Sequence, residues 1–232
     1  MAKIKFGMMM TDARGKLGGQ VFSKNRAGSY VRTKVTPVNP RTSFQMANRA
    51  LLGNLSASWS GLTDEQRTRW NNAVEDWKKT DIFGDLKTPT GKNLYTSLNK
   101  VNAQVGNSPL TEPPTKVEFP IIEIVDAYLS VDNGVITKGT ITTIGKSTDF
   151  KIIISATPAL SQGTSFVKNR MRNVFVFSGG IDVAMNWYEE YSDRFGSALE
   201  VGANVWLEMR LVATNGQISA PQKIKVDVVQ QE

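Results

Sequence analysis

Arg26, Tyr30, Arg32 and Lys34 fall in the stretch "GKLGGQVFSKNRAGSYVRTKVTPVNPRTSFQ", residues 15–45, among Gly15, Gly18, Gly19 and Gly28. Guanidinium and ammonium groups donate to carboxylates and phosphates, and an interleaved aromatic ring adds a surface on which a base can stack. Residues 1–41 carry nine Lys and Arg against one acid, Asp12, a net +8, whereas the remaining residues hold 19 basic and 20 acidic side chains. The positive charge therefore belongs to the N-terminal arm, and its expected partner is a negative surface, either nucleic acid or the acidic face of another protein. A solvated basic tail kept for solubility is the plainer reading of the same charges. Gly18, Gly19 and Gly28 are read as permitting close backbone approach of that partner.

Other chemistries are narrowed by composition. Cysteine and histidine are both absent, which removes disulfides, thiolate nucleophiles, Ser-His-Asp and Cys-His arrangements, and zinc sites built from those residues. Carboxylate, lysine or tyrosine catalysis stays open, but no catalytic pair stands out, and the expectation is a protein that is not an enzyme and carries no cofactor or metal. "TPTGKN" shares Gly-Lys with a phosphate-binding loop, yet the first glycine of that loop would fall at Leu86, and Asn93 stands where Ser or Thr is required. A helix start is the better reading. Glu189, Glu190 and Asp193 form an acidic cluster that reads as a solvated helix face rather than a cation site. No run reaches the roughly 18 apolar residues of a membrane helix, and "MAKIKFGMMMT" has no signal-peptide pattern, so synthesis and assembly in a cytoplasm are expected.

The elements that must position the basic residues can be read from periodicity. "GQVFSK" and "SYVRTKV" alternate with the strand period, placing Tyr30, Arg32 and Lys34 on one face and Val31, Thr33 and Val35 on the other, with "NRAG" as the turn. An isolated hairpin is marginal in water, so this piece is expected to need a neighbouring surface and to offer strand edges to another subunit. Pro37 and Pro40 then force an extended exit.

Three helices are predicted next. Thr42 and Gln45 form a capping box ahead of a stripe through Phe44, Ala47, Leu51 and Leu55. Thr63 and Gln66 repeat the device; Asp64 and Glu65 suit the helix N-terminus, Lys78 and Lys79 the C-terminus, and Trp70, Ala73, Val74 and Trp77 form a core stripe. A third stripe runs through Leu94, Leu98, Val101 and Val105, and three short helices can close a small bundle. "GNSPLTEPPTKVEFP" reads as a linker with little that can pack.

From Ile121 onward the pattern becomes β. Six segments rich in β-branched and aromatic residues alternate with turn signals such as "DNG" and "TNGQ". One insertion, residues 182–196, reads as a helix crossing between strands. The expected fold class is α+β in two modules: an extended basic arm at 1–41 with a small three-helix module at 42–106, a proline-rich linker at 107–120, and an antiparallel immunoglobulin- or fibronectin-like β-sandwich at 121–232. Such sandwiches host many functions.

The arm, together with "LSASWSGLTDEQRTRWNNAV", resembles the N-terminal half of small virion structural proteins of tailed bacteriophages, crAss-like phages among them. "SATPALSQGTSFVKNRMRNV" and "ANVWLEMRLVATNGQIS" resemble the sandwich half of the same group. The resemblance implies a non-enzymatic structural subunit, in a head-to-tail ring or on the capsid, assembled into the virion in the host bacterial cytoplasm. Its partners would be copies of itself and portal, tail or capsid subunits, with neither membrane nor small-molecule substrate. The arm would be an assembly clamp that orders on its neighbours, with Arg26, Tyr30, Arg32 and Lys34 as contacts. A nucleic-acid-binding protein packaged with the genome is the alternative. A carbohydrate-binding or host-adhesion module is the third reading, resting on the sandwich and its exposed aromatics.

Overall fold

A computed structural model of the chain describes residues 2–8, 10–144, 150–178 and 185–230, and the chain forms two compact units, Met1–Leu94 and Tyr95–Glu232. The predicted "GKST" turn at 145–148 and the first residues of the predicted insertion, 182–184, lie outside the described residues.

The first unit opens with a small antiparallel sheet of β1 (Ala2–Lys3), β2 (Gly15–Leu17), β3 (Gln20–Asn25) and β4 (Gly28–Thr33), in the order β1-β4-β3-β2. The predicted hairpin is β3–β4, with Asn25 opposite Gly28 across a two-residue turn. The Asn25 side chain accepts the Ala27 N–H at 2.9 Å, and Gly28 takes φ 111°, a conformation a side chain would resist. The hairpin is completed by strands of its own chain, β1 and β2, where the sequence reading called for a neighbouring surface. Even so, no described residue of 2–54 is buried, so this sheet is held by ladders and ion pairs rather than by a core.

The helices start where their caps predict. Thr42 accepts the Gln45 N–H at 3.4 Å and opens α1 (Ser43–Gly61). At α2 (Asp64–Ala73) the capping box is reciprocal: Gln66 N–H donates to Thr63 Oγ1 at 3.2 Å, and Thr63 N–H donates to Gln66 Oε1 at 3.0 Å. A 3₁₀ turn, Val74–Trp77, continues α2 and keeps the stripe in place, with Trp70, Val74 and Trp77 all buried. In α1 the predicted stripe is only partly used: Leu55 is buried, but Phe44 is 62% exposed. An amphipathic period reports that a face exists, not that the same chain covers it. A short hairpin follows, β5 (Lys79–Thr80) and β6 (Leu86–Lys87), and then α3 (Gly91–Val105). A Cβ on Gly91 would collide with Asn71 of α2, which explains the glycine of "TPTGKN" by packing rather than by a phosphate. The division between the units falls inside α3, so the three helices do not all belong to one unit.

The second unit contains β7 (Glu123–Asp132), β8 (Val135–Ile144), β9 (Phe150–Ala156), β10 (Arg172–Phe177), β11 (Met185–Asn186), α4 (Tyr188–Phe195), β12 (Val205–Ala213) and β13 (Gln222–Gln230). Each predicted strand segment corresponds to one of these long strands. They form one seven-stranded sheet, β10-β9-β12-β13-β7-β8-β11, antiparallel throughout except for the parallel β13–β7 pair. The β7–β8 turn is Asn133–Gly134, both at positive φ, the conformation that Asn-Gly supplies most readily in a two-residue hairpin. Alternate residues of β7, β8, β9, β12 and β13 enter a single core that includes Leu129, Ile141, Ile154, Leu207 and Val226. Trp187 and Tyr191, from α4 and its entry, fill the same core with rings edge to face at 5.3 Å. Gly139 of β8 leaves the space that Trp187 and Leu129 occupy. Burial pushes the Tyr191 phenol up, and its hydroxyl donates to the Thr157 carbonyl at 3.1 Å.

On the other side of this sheet Val101 and Val105 of α3 pack with Ile153 and Val212. Lys151 Nζ donates to the Val105 carbonyl at 2.6 Å, satisfying the end of α3 with a cation. The proline-rich segment has few apolar side chains to bury and is tied down by amides instead. Asn99 bonds Leu110, Asn215 bonds Thr115, and Gln217 bonds both polar groups of the Val117 backbone.

Gly216 packs against the α3 backbone: it has φ 77°, and a Cβ there would collide with the Leu98 carbonyl. Gly163 has φ 84° with open space around it. Gly163→Ala is expected to cost about 1 kcal/mol, the strain of a left-handed alanine, and Gly216→Ala at least ~2 kcal/mol more because backbone must move. Urea unfolding of the two variants measures the difference, and equal losses would remove the packing role of Gly216.

Candidate functional site

Strand register sorts the basic arm into two faces. Lys16 is opposite Val21, Val21 opposite Arg32, Ser23 opposite Tyr30 and Lys3 opposite Tyr30, so Lys3, Lys16, Tyr30 and Arg32 share one face. Leu17, Phe22, Val31 and Thr33 share the other. The predicted pairing of Tyr30 with Arg32 therefore holds. Lys34 lies beyond the end of β4, where its N–H donates to the Gly19 carbonyl at 2.8 Å. Arg26 is elsewhere, at the tip of the β3–β4 turn.

Two of the three glycines, Gly18 and Gly28, serve turn geometry within the chain. Gly18 and Gly28 have φ of 56° and 111°, Gly19 does not share this, and a Cβ at any of the three would meet nothing within 4 Å.

The arm is fastened by charge. Lys3 Nζ lies 3.2 Å from Asp81 and Lys5 Nζ 2.9 Å from Asp85, the two carboxylates of the β5–β6 loop, and Lys5 also sits 5.2 Å from the centre of the Phe83 ring. Asp81 is nearly enclosed, its side chain 5% exposed. Burial alone pushes its carboxyl up, but the Phe83 N–H, the Lys3 ammonium and the Asp85 N–H together outweigh that and hold it below the ordinary carboxylate value. Asp12, the arm's own acid, lies 3.4 Å from Arg14 and 4.0 Å from Lys24.

With both loop carboxylates engaged, other cations nearby are left in excess. Sixteen Lys and Arg against seven Asp and Glu give residues 1–94 a net +9. A groove with a cavity volume of about 430 Å³ lies between the β3–β4 turn, the β5–β6 hairpin and the start of α3; Arg26, Lys79, Lys87, Thr88, Thr90 and Asn93 are among its walls, and no Asp or Glu lines it. Sequence reasoning selected Arg26 but missed Lys79 and Lys87, whose setting "KTDIFGDLKTPTG" shows only turn signals; the register of the β5–β6 hairpin sets the two lysines opposite each other.

The acidic cluster of α4 is exposed, with Glu189 accepting from the Tyr188 hydroxyl at 3.0 Å, a bond that pushes the Tyr188 phenol up. Among the described residues no three His, Cys, Asp or Glu side chains converge, and no helix is long and apolar enough to cross a membrane. Compared with protein-family models, curated proteins and solved structures, the chain has no significant match.

Because the Asp81 carboxyl is lowered, the stability it contributes is fully present above the ordinary value of 3.8 and is lost as pH falls through the lowered folded value. The Ile4 N–H, which donates to the Ser29 carbonyl at 3.1 Å, reports on β1 docking by amide exchange. Its protection factor is expected to stay constant from pH 7 to about 4 and to fall below that, whereas Asp81→Asn lowers it at neutral pH and removes the fall in acid. Unchanged protection in Asp81→Asn would show that the ion pair does not hold β1.

Proposed function

We infer that this chain is a non-enzymatic structural subunit of a tailed-bacteriophage virion, in a head-to-tail ring or on the capsid, and that its N-terminal arm locks neighbouring subunits together. The observation that carries the reading is the state of the arm's apolar residues. Leu17, Val35, Val38 and Met46 are 71, 65, 86 and 51% exposed, spread along a strand, an extended exit and a helix start that bury nothing of their own. Exposed apolar groups that recur along one stretch of chain favour cover by another surface, and assembly supplies one. The likeness of the arm and of the strand-rich half to phage virion proteins adds support from sequence.

The α+β architecture is compatible with the finer reading of a helical module followed by an immunoglobulin-type sandwich. Among the described residues two antiparallel groups, β10-β9-β12-β13 and β7-β8-β11, are hydrogen-bonded to each other through the parallel β13–β7 pair, and residues of both enter one core, as two facing layers would. The second functional reading, a nucleic-acid-binding protein packaged with the genome, is favoured by the net +9 of residues 1–94.

Val38→Asp places a charge on an exposed side chain and is expected to change folding stability by less than ~0.5 kcal/mol, yet to lower incorporation into particles at least tenfold. Deletion of residues 1–41 should abolish incorporation while leaving the second unit folded. Quantitative mass spectrometry of purified virions reads both variants against the wild type. A wild-type copy number following the portal assigns a ring with closed rotational symmetry, one following the major capsid protein assigns the shell, and absence from virions overturns the reading.

A further inference from the structure

We propose that the groove walled by Arg26, Lys79 and Lys87 is a phosphate-binding site. Its cations come from two hairpins distant in the chain and converge on one cavity: Arg26 from the tip of the β3–β4 turn, and Lys79 and Lys87 from the β5–β6 hairpin. Arg26 is held there by a turn with little freedom, closed by the Asn25 side chain and the positive φ of Gly28. The nearby carboxylates are diverted: Asp81 is taken by Lys3 and Asp85 by Lys5, and Lys87 has only a 3.9 Å contact to the shared Asp85. The charge of the groove is thus left for a ligand.

The polar groups around the cations suit oxygen acceptors. Thr90 Oγ1 accepts the Asn93 N–H at 3.2 Å as the cap of α3, which leaves its own hydroxyl proton to donate. Arg26 offers a planar fork of donors matched to two phosphate oxygens, and the lysines add point charges. A cavity of about 430 Å³ lies within the usual range for small-ligand sites. The failed resemblance of "TPTGKN" to a phosphate-binding loop is consistent with this, because Thr88, Thr90 and Asn93 contribute walls to an open groove and not a loop wrapped around the anion. The site stands apart from the virion reading, since it requires no other subunit.

The test uses the full chain and three probes: pyrophosphate, a 15-nucleotide single-stranded DNA and polyglutamate. Arg26→Ala/Lys79→Ala/Lys87→Ala is compared with a variant of equal charge loss on exposed residues of the second unit, Lys138→Ala/Lys168→Ala/Arg170→Ala. The groove variant is expected to lose at least tenfold in phosphate affinity and to reduce the slope of log K against log salt for the oligonucleotide by about 2. The control variant should change affinity by less than threefold, and thermal melting should confirm that both variants stay folded. Loss of pyrophosphate and DNA binding together assigns a free phosphate or nucleotide as sufficient; loss of DNA binding alone assigns the nucleic-acid backbone. Three results would overturn the proposal: equal losses in both variants, polyglutamate binding as tight as DNA, or no wild-type binding of either phosphate probe at low salt. Because no particle is involved, these outcomes are independent of whether the chain enters virions.

Discussion

Strand β13 hydrogen-bonds two neighbours of opposite sense, antiparallel β12 on one side and parallel β7 on the other. Between Tyr128–Val131 and Asp227–Gln230 it joins the strands that come first and last in the second unit, so two antiparallel groups become one sheet. The larger core of the unit draws on both sides of that seam. Val228 lies opposite Leu129 across this pair, Val226 continues the same β13 face, and the core of both groups becomes continuous. Pairing the first and last strands of the unit carries a larger loop-closure entropy than the hairpins on either side.

The first unit is built on a different balance. Its helices bury Trp70, Val74 and Trp77, but no described residue of its sheet is fully buried, and the sheet is fastened by Lys3–Asp81 and Lys5–Asp85. Exposed ion pairs hold weakly and are screened by salt, and the enclosed Asp81, with two backbone N–H donors besides Lys3, is the firmer of the two anchors. An arm attached in this way can keep its strand order and still leave Leu17, Val35 and Val38 for a partner. Spending both hairpin carboxylates on the arm also isolates the cations of the groove, so the anchoring of the arm and the electrostatics of the proposed phosphate site have one cause.

Short-range signals were legible in the sequence wherever one residue type has one physical use. The capping boxes at Thr42 and Thr63, the Asn133–Gly134 hairpin and the β3–β4 turn are local, and each appears where its residues require. The long β segments were legible because alternation of β-branched residues persists over seven to ten positions. Within the candidate site, Tyr30 and Arg32 were paired correctly by the period of two, whereas Lys79 and Lys87 were missed, since their relation to Arg26 is made by two hairpins distant in the chain.

What the amino-acid sequence determined by itself is the element types, the caps and turns, the absence of thiol and imidazole chemistry and the placement of charge in the first unit. These follow from backbone preference and composition, which act over a few residues at most. What only the tertiary structure decided is the completion of the arm's hairpin by β1 and β2, the assignment of α3 from Tyr95 onward to the sheet unit, the reason for Gly91 and Gly216, and the convergence of Arg26, Lys79 and Lys87. Each of these depends on which distant surfaces meet, and a periodic pattern states that a face is apolar or charged without naming what will cover it.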